Sequence, residues 1–538
     1  MEAFKKITAI SKNLTQKASN SIQNLIKGNK PKKAKNKTHK IRSKLEPLKK
    51  FGQEYKDKDI VIFQDICSNA GLCISFGDQT YKIRKFFEGF SNFKYVDPTQ
   101  IKRIGNDSAN GIVLDIPFMK QGYSAHAILK TSQTLKNKQS DSIIYEAFVG
   151  AFINKKVLIY PCFMETYGVY RSKDKAYNFS KTSSLNRDQF LKNLQSISIY
   201  ADVLSNTNII QDACDHSYSI LIQNIKDAKT LNDYITNKSY RKDTMFLNVE
   251  LVHYLFQVYY PLSMMADDFT HYDLHTGNVM IYKPALDKKH YLKMKYENVD
   301  GTFTEFFTYG ISKMIDYGRC YVEDKSVKGR STEFYKNVCD VLKDCGETCG
   351  YNYEYMNNKN ISQDLRLLHI FSRYTKSYSL KSDLFSKIKI KFDTDYFTNE
   401  VVNSNWKQLG DTIKNVHDAY KTLLLWMSTP EYQNEYNKEF AFASETSPDC
   451  LGELAIFQPN NRGIKKHKFT RNDKYNNNYV SVSSLSSSIP SNHSNQIHVS
   501  KKASTPKLAK KVIKKKSKNN YVGSYHSKQR NVFGTVSI

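Results

Sequence analysis

No run of eighteen or more apolar residues free of charge occurs in the 538-residue sequence, so a membrane-spanning helix is not expected. The first residues lack the apolar block and small-residue cleavage site of a secretory signal, which argues against secretion. Cysteine is sparse and odd in number. Nine are scattered along a chain too long to need disulfide staples, so a reducing compartment fits. Glycine (22), proline (12) and arginine (13 beside 68 lysines) are also scarce, a bias of AT-rich genomes that carries no chemistry. Acidic residues are nearly missing from the two ends. Residues 1–50 hold 2 against 15 basic ones, a net of +13, and residues 461–538 hold 1 against 17, a net of +16. The 410 residues between them carry 49 of each sign. The formal charge of +29 thus belongs to two cationic arms on a neutral body.

That body is rich in apolar material. The chain is 40% hydrophobic, with 37 tyrosines and 30 phenylalanines, ample for a large core. Its length suits one two-lobed domain or two ordinary ones. In residues 1–27, Phe4, Ile7, Ile10, Leu14, Ala18, Ile22 and Leu25 fall on one helical face and Lys5, Lys6, Lys12, Lys17 and Lys27 on the other. A basic amphipathic helix of this kind lies on an anionic membrane surface, unless it simply docks on the body or frays. Residues 28–50 read as a solvated basic linker. Short apolar runs from Asp59 to Phe93 indicate a small β/α extension. Residues 96–226 mix strands and helices, and 227–430 read as largely helical, with a clean amphipathic run at Phe246–Met265. From Arg462 onward order is expected to fail. Both arms, 1–50 and 461–538, are expected to bind nucleic acid or an anionic membrane surface by charge. Their bland alternative is a solubilising tail or a nuclear-import address.

The most specific feature is His271-Tyr272-Asp273-Leu274-His275-Thr276-Gly277-Asn278. Phosphoryl transfer from ATP needs a carboxylate to orient or accept the proton of the acceptor hydroxyl, and an oxygen ligand for Mg²⁺ close by. Asp273 and Asn278 supply that pair. Lys313-Met314-Ile315-Asp316-Tyr317-Gly318 then offers a second carboxylate at a strand end, suited to bridging Mg²⁺ to phosphates. Upstream, Ala127-Ile128-Leu129-Lys130 ends a strand in a lysine, and Asp141–Gly150 reads as a helix bearing Glu146. A phosphate-binding lysine needs an opposite charge to hold it, and this order of parts provides one. Before them, the turn from Gly105 to Gly111 can lie over phosphates. Cys339, Cys345 and Cys349 have no CxxC pair or suitably spaced histidine, so no metal is expected there.

The order of these parts resembles the protein-kinase-like fold. More narrowly, YEAFVGAFINKK at 145–156, YPCFMETYGVY at 160–170, HYDLHTGNVMIY at 271–282 and MIDYGR at 314–319 resemble the serine/threonine kinases of giant DNA viruses, over about residues 60–457. The resemblance implies an α+β, two-lobed fold with a small β-rich N-lobe at 96–226 and a larger helical C-lobe at 227–460. Residues 51–95 would be a small extension, flanked outside by the disordered basic ends. It implies ATP and Mg²⁺ as cofactors, with Asp273 as catalytic base and Asn278 and Asp316 as metal ligands. Lys130 and Glu146 become the phosphate-orienting pair. Gly105 and Gly111 belong to the nucleotide turn, and Gln223, Asn224 and Ile225 to the adenine contacts. Asp364 becomes a structural brace beneath the catalytic loop, and His271 a packing residue. A protein substrate follows, in the host cytoplasm at the viral factory or in the virion.

The departures keep two other readings open. Tyr272 replaces the usual arginine before the catalytic Asp, and His275 stands where a lysine is usual. Asp273 and Asp316 are 43 residues apart, about twice the usual spacing, an excess that a hairpin in YLKMKYENVDGTFTEFFTYG would absorb. No A-P-E triplet follows. A pseudokinase or structural virion component that binds nucleotide without catalysis is one alternative. A small-molecule phosphotransferase of the aminoglycoside- or choline-kinase kind is the other, on D-L-H-T-G-N.

Overall fold

A computed structural model describes residues 84, 86–104, 112–120, 123–131, 143–172, 184–198, 216–225, 228–283, 290–324, 359–377, 380–391, 406–459 and 465–472. The expectations for residues 1–50 and 51–83, for Gly105 and Gly111, and for Cys339, Cys345 and Cys349 lie outside the described residues. So does the arm beyond residue 472.

Strand β3, Tyr123–Thr131, sets the geometry of the first half through its alternation. Ala125, Ala127 and Leu129 are buried on one face among Phe87, Phe90, Leu114, Ile116 and Phe118. Ile128 and Lys130 therefore turn to the opposite face. Around β3 runs a six-stranded antiparallel sheet. In spatial order it comprises β1 (Lys102–Arg103), β2 (Ile112–Lys120), β3, β6 (Ser217–Gln223), β4 (Thr166–Ser172) and β5 (Gln195–Ile197). Residues 86–95, read as part of a small extension, pack on this sheet with two 3-10 turns, Glu88–Phe90 and Phe93–Tyr95. Helix α1, Ile143–Val157, packs against β4 and β6, while α2, Ser184–Asn193, lies in the connection between β4 and β5. Gly150 is what allows the approach to β4: a Cβ there would stand 2.2 Å from Thr166 Oγ1. One turn on, Asn154 bonds both backbone groups of Thr166, donating to its carbonyl at 2.7 Å and accepting from its N–H at 2.9 Å.

Among the described residues, the second half is less helical than its sequence indicates. Short strands β7 (Lys229–Thr230), β9 (Val279–Tyr282) and β12 (Ile311–Met314) make a three-stranded sheet, and β8 (Phe269–Thr270) pairs with β13 (Tyr321–Val322). The expected hairpin is present. β10 (Tyr291–Glu297) and β11 (Phe303–Thr308) pair from Leu292↔Thr308 to Glu297↔Phe303, across a turn in which Gly301 takes φ +81°. β16 (Cys450–Ile456) joins β10 in parallel, and β17 (Lys468–Arg471) joins β16. The basic arm expected to begin at 461 thus contributes an edge strand. Short helices α3 (Leu231–Thr236) and α4 (Lys238–Lys242) precede a π-turn at Phe246–Glu250, which leads into α5 (Leu251–Met264). α6 (Arg366–Ser377), α7 (Asp383–Lys387), α8 (Val416–Met427) and α9 (Pro430–Glu439) follow, with a small parallel pair of β14 (Lys389–Ile390) and β15 (Thr412–Ile413). The run read as amphipathic is buried on every face from Leu251 to Ser263 and packs against α8. No helix of the described residues is long and apolar enough to cross a membrane.

His253 in α5 illustrates the cost of such burial. Its ring is stacked on Phe306 at 4.4 Å and its Nε2 meets the Tyr432 hydroxyl, with no exposure to water. Burial pushes its pKa down to about 3. Between an unfolded value near 6.5 and that folded value, the unfolded chain binds a proton the folded chain refuses. Stability should therefore fall as pH falls from about 6.5, by up to about 1.4 kcal/mol per pH unit from this residue. Thermal melts of wild type and His253→Gln between pH 7 and pH 5 check this. The variant should show the shallower acid slope, and parallel slopes would clear His253 of the effect.

Candidate active site

Lys130 is the meeting point of the two halves. Its Nζ lies 2.7 Å from Glu146 Oε1 on α1 and 3.2 Å from Asp316 Oδ1, which is 186 positions away in sequence. Burial disfavours the ammonium charge, but Asp316 and Glu146 outweigh it and hold Lys130 above the ordinary lysine value. Glu146, 6% exposed, is pushed upward by burial against the pull of Lys130. Asp316 is 48% exposed, and Lys130 draws its carboxyl below the usual range. One carboxylate is therefore a buried anchor and the other faces solvent.

Asp316 takes a left-handed backbone, φ +68°, immediately after β12. β12 pairs with β9 in the register Met314↔Val279, so the Ile315 N–H donates to the Asn278 carbonyl at 3.0 Å. This hydrogen bond joins Asp316 to the loop 271–278. Within that loop the Asn278 side-chain amide donates to the Asp273 carbonyl at 2.9 Å through its nitrogen, so its Oδ1, an oxygen of the type that ligates hard cations, takes no part in that bond. Tyr272 has φ +61°, and the Asp273 N–H closes a three-residue turn onto the His271 carbonyl at 2.7 Å. This is a γ-turn of the strained hand. Asp364 holds it in place, accepting the N–H groups of His271 at 2.8 Å and Tyr272 at 2.9 Å. Burial pushes the Asp364 carboxyl up to about 7 against the pull of those two donors. His271, wholly buried, donates from Nε2 to the Ile315 carbonyl at 3.1 Å. The bracing and packing expected of Asp364 and His271 are the contacts found.

Three nitrogen-bearing side chains surround Asp273. Arg366 Nη1 donates to Oδ1 at 2.6 Å, His275 Nε2 is 3.7 Å from the same oxygen, and Arg319 Nε is 3.9 Å from Oδ2. Burial pushes the His275 pKa down against the pull of Asp273. Sequence reasoning gave Arg366 and Arg319 no role. Arg366 is 93 positions from Asp273, and only its place two residues after Asp364 hinted at it.

Gln223 ends β6, three residues past Ile220, the register partner of Lys130, and Asn224 and Ile225 follow it. The Gln223 N–H donates to the Glu165 carbonyl at 2.8 Å and the Asn224 N–H to the His126 carbonyl at 3.3 Å, so both are engaged within the protein. Ile225 is buried in the core. The Asn224 side chain donates to Asp115 Oδ1 at 3.0 Å, and His126 Nδ1 meets the same oxygen at 2.9 Å. Burial opposes the Asp115 charge, but the His126 and Asn224 bonds outweigh it and lower the pKa. By strand alternation, Asp115 and His126 share the face of Lys130, a signal available in the sequence of β2 and β3.

A hard divalent cation takes oxygen ligands, and Mg²⁺ is commonly held by one or two protein oxygens together with phosphates and water. The Asp316 carboxylate and Asn278 Oδ1 are of that type, so these residues fit Mg²⁺. Among the described residues no group of three or more His, Cys, Asp or Glu is placed to hold a metal without such help. Comparison with protein-family models gives no match, and comparison with curated proteins gives none either.

Proposed function

We propose that the chain is an ATP- and Mg²⁺-dependent phosphotransferase acting on a hydroxyl group, with a serine/threonine side chain of a protein as the favoured acceptor. On this reading the sheet carrying Lys130 and the half built on α5 are the two lobes of a kinase-like fold. The observation that carries it is the convergence of Lys130 on Glu146 and Asp316, with Asp316 tied through Ile315 to Asn278. Electrostatic positioning of phosphates is the greater part of phosphoryl-transfer catalysis, and such a constellation supplies it. Lys130, kept charged by two carboxylates, would grip phosphate oxygens. Asn278 and Asp316 would hold Mg²⁺, which when bound neutralises phosphate charge. Asp273 would orient the acceptor hydroxyl and take its proton as the oxygen attacks.

The test is made on the full chain, since β17 lies beyond residue 460. ATP is supplied with and without Mg²⁺, and basic proteins and hydroxyl-bearing metabolites are offered side by side. Mg²⁺-dependent phosphate incorporation into a protein is the expected result. Transfer to a metabolite alone would move the acceptor to the small-molecule class. Binding of Mg²⁺-ATP with transfer to neither would leave a nucleotide-binding pseudokinase.

A further inference from the structure

The charge that develops during transfer must be neutralised on the acceptor side as well as at Lys130. As the acceptor oxygen forms its bond to the γ-phosphorus, the bond to the β–γ bridging oxygen breaks. The electron pair leaves on the β-phosphate, and the hydroxyl proton passes to Asp273. Negative charge is spread over the three equatorial oxygens during this exchange. Lys130 is already held between Glu146 and Asp316, on the nucleotide side. His275 Nε2 stands 3.7 Å from Asp273, beyond hydrogen-bond reach. Arg319 is a cation, but its Nε stands 3.9 Å from Asp273. Arg366 is in direct contact at 2.6 Å, and its side chain is 15% exposed, so water screens it little.

Its position is also the most firmly built. The turn Gln363–Leu365 and the start of α6 place Asp364 on the loop backbone and Arg366 on the loop's carboxylate, two residues apart. One rigid element thus fixes both the strained turn at Tyr272 and the side chain that follows it. A guanidinium carries five N–H donors in a planar fork that suits carboxylate and phosphate oxygens together.

We infer that Arg366 is the acceptor-side cation of the transfer centre, holding the Asp273 carboxylate while its guanidinium neutralises the oxygens of the phosphoryl group in flight. The inference rests on the phosphotransferase reading above. It assigns this role to a helix-borne arginine 93 positions beyond Asp273.

Arg366→Gln and Arg366→Lys of the full chain test it, with kcat and the KM for ATP measured at saturating Mg²⁺. Removing a donor aimed at developing charge should lower kcat of Arg366→Gln about tenfold or more. The lysine variant keeps the charge without the fork and should fall between the glutamine variant and wild type. KM for ATP should stay within about twofold in both, because interactions made only in the transition state do not alter ground-state binding. A structural brace gives a different pattern, with Lys as poor as Gln, and that result overturns the inference. So does wild-type kcat in Arg366→Gln, or a loss confined to KM. If the glutamine variant does not fold, Arg366→Lys decides alone: a kcat lowered several-fold but less than about tenfold, at unchanged KM, upholds the inference, and wild-type kcat or a loss of about tenfold or more overturns it. A wild type that binds Mg²⁺-ATP but transfers to nothing removes the phosphotransferase reading and this inference together. An active wild type beside an equally active Arg366→Gln removes only the inference.

Discussion

Asp273→Asn is expected to lower turnover by about 10²-fold or more while leaving Mg²⁺-ATP affinity unchanged. The substitution preserves shape and removes the charge and the proton acceptor. Its surroundings are held by groups that do not depend on its carboxylate. The loop backbone is pinned by Asp364 through the N–H groups of His271 and Tyr272, and the Asp273 carbonyl still accepts from Asn278. The fold should therefore survive, although Arg366 loses its anionic partner at 2.6 Å. Nucleotide binding should survive as well, since the contacts of Lys130 run to Glu146 and Asp316 rather than to Asp273. Single-turnover transfer and a Mg²⁺-ATP titration on the same preparation check both halves. Equal transfer by wild type and variant would sink the assignment of Asp273.

Much of this site is legible in the sequence because its parts are local. A lysine at the end of AILK, a glutamate early in a helix and the D-x4-N spacing each follow from short-range pattern, and the structure has Lys130 one residue before the end of β3 and Glu146 in the first turn of α1. Other features need the tertiary structure. The α5 sequence looks amphipathic because His253, Gln257 and Ser263 read as a polar face. Each finds a partner in the core: His253 at Tyr432, Gln257 at Gly310 and Ser312, and Ser263 at His417. Periodicity alone cannot distinguish a solvated polar residue from one satisfied internally. Likewise KKHKFTR reads as a solvated charge run. In the fold, His467 is buried and Phe469 packs against the core while Lys466 and Lys468 stay exposed, the alternation of an edge strand. β16 reaches β10 from about 160 residues away, and the ion pair of Arg366 with Asp273 spans 93 positions. The first pairing leaves no local trace, and the second only the place of Arg366 two residues after Asp364.

Asp316 should behave differently from Asp273. Asn tolerates a left-handed backbone about as well as Asp, so Asp316→Asn keeps the φ of +68° without new strain. What disappears is one of the two charges that keep Lys130 protonated and fixed, together with an anionic oxygen suited to Mg²⁺. Glu146 still anchors Lys130 at 2.7 Å, so the lysine should remain at the site, but its solvent-facing partner is gone. Turnover is expected to fall about 10²-fold or more, and Mg²⁺-ATP affinity is expected to fall with it. Affinity for ATP measured without Mg²⁺ should change far less, because removing a carboxylate from beside phosphates does not cost an attraction. The comparison across three measurements is therefore specific: Asp273→Asn loses turnover alone, while Asp316→Asn loses turnover and the Mg²⁺-dependent part of nucleotide affinity. If Asp316→Asn binds Mg²⁺-ATP as tightly as wild type, the carboxylate is not a metal ligand. Its contact with Lys130 would then be an ion pair with another purpose.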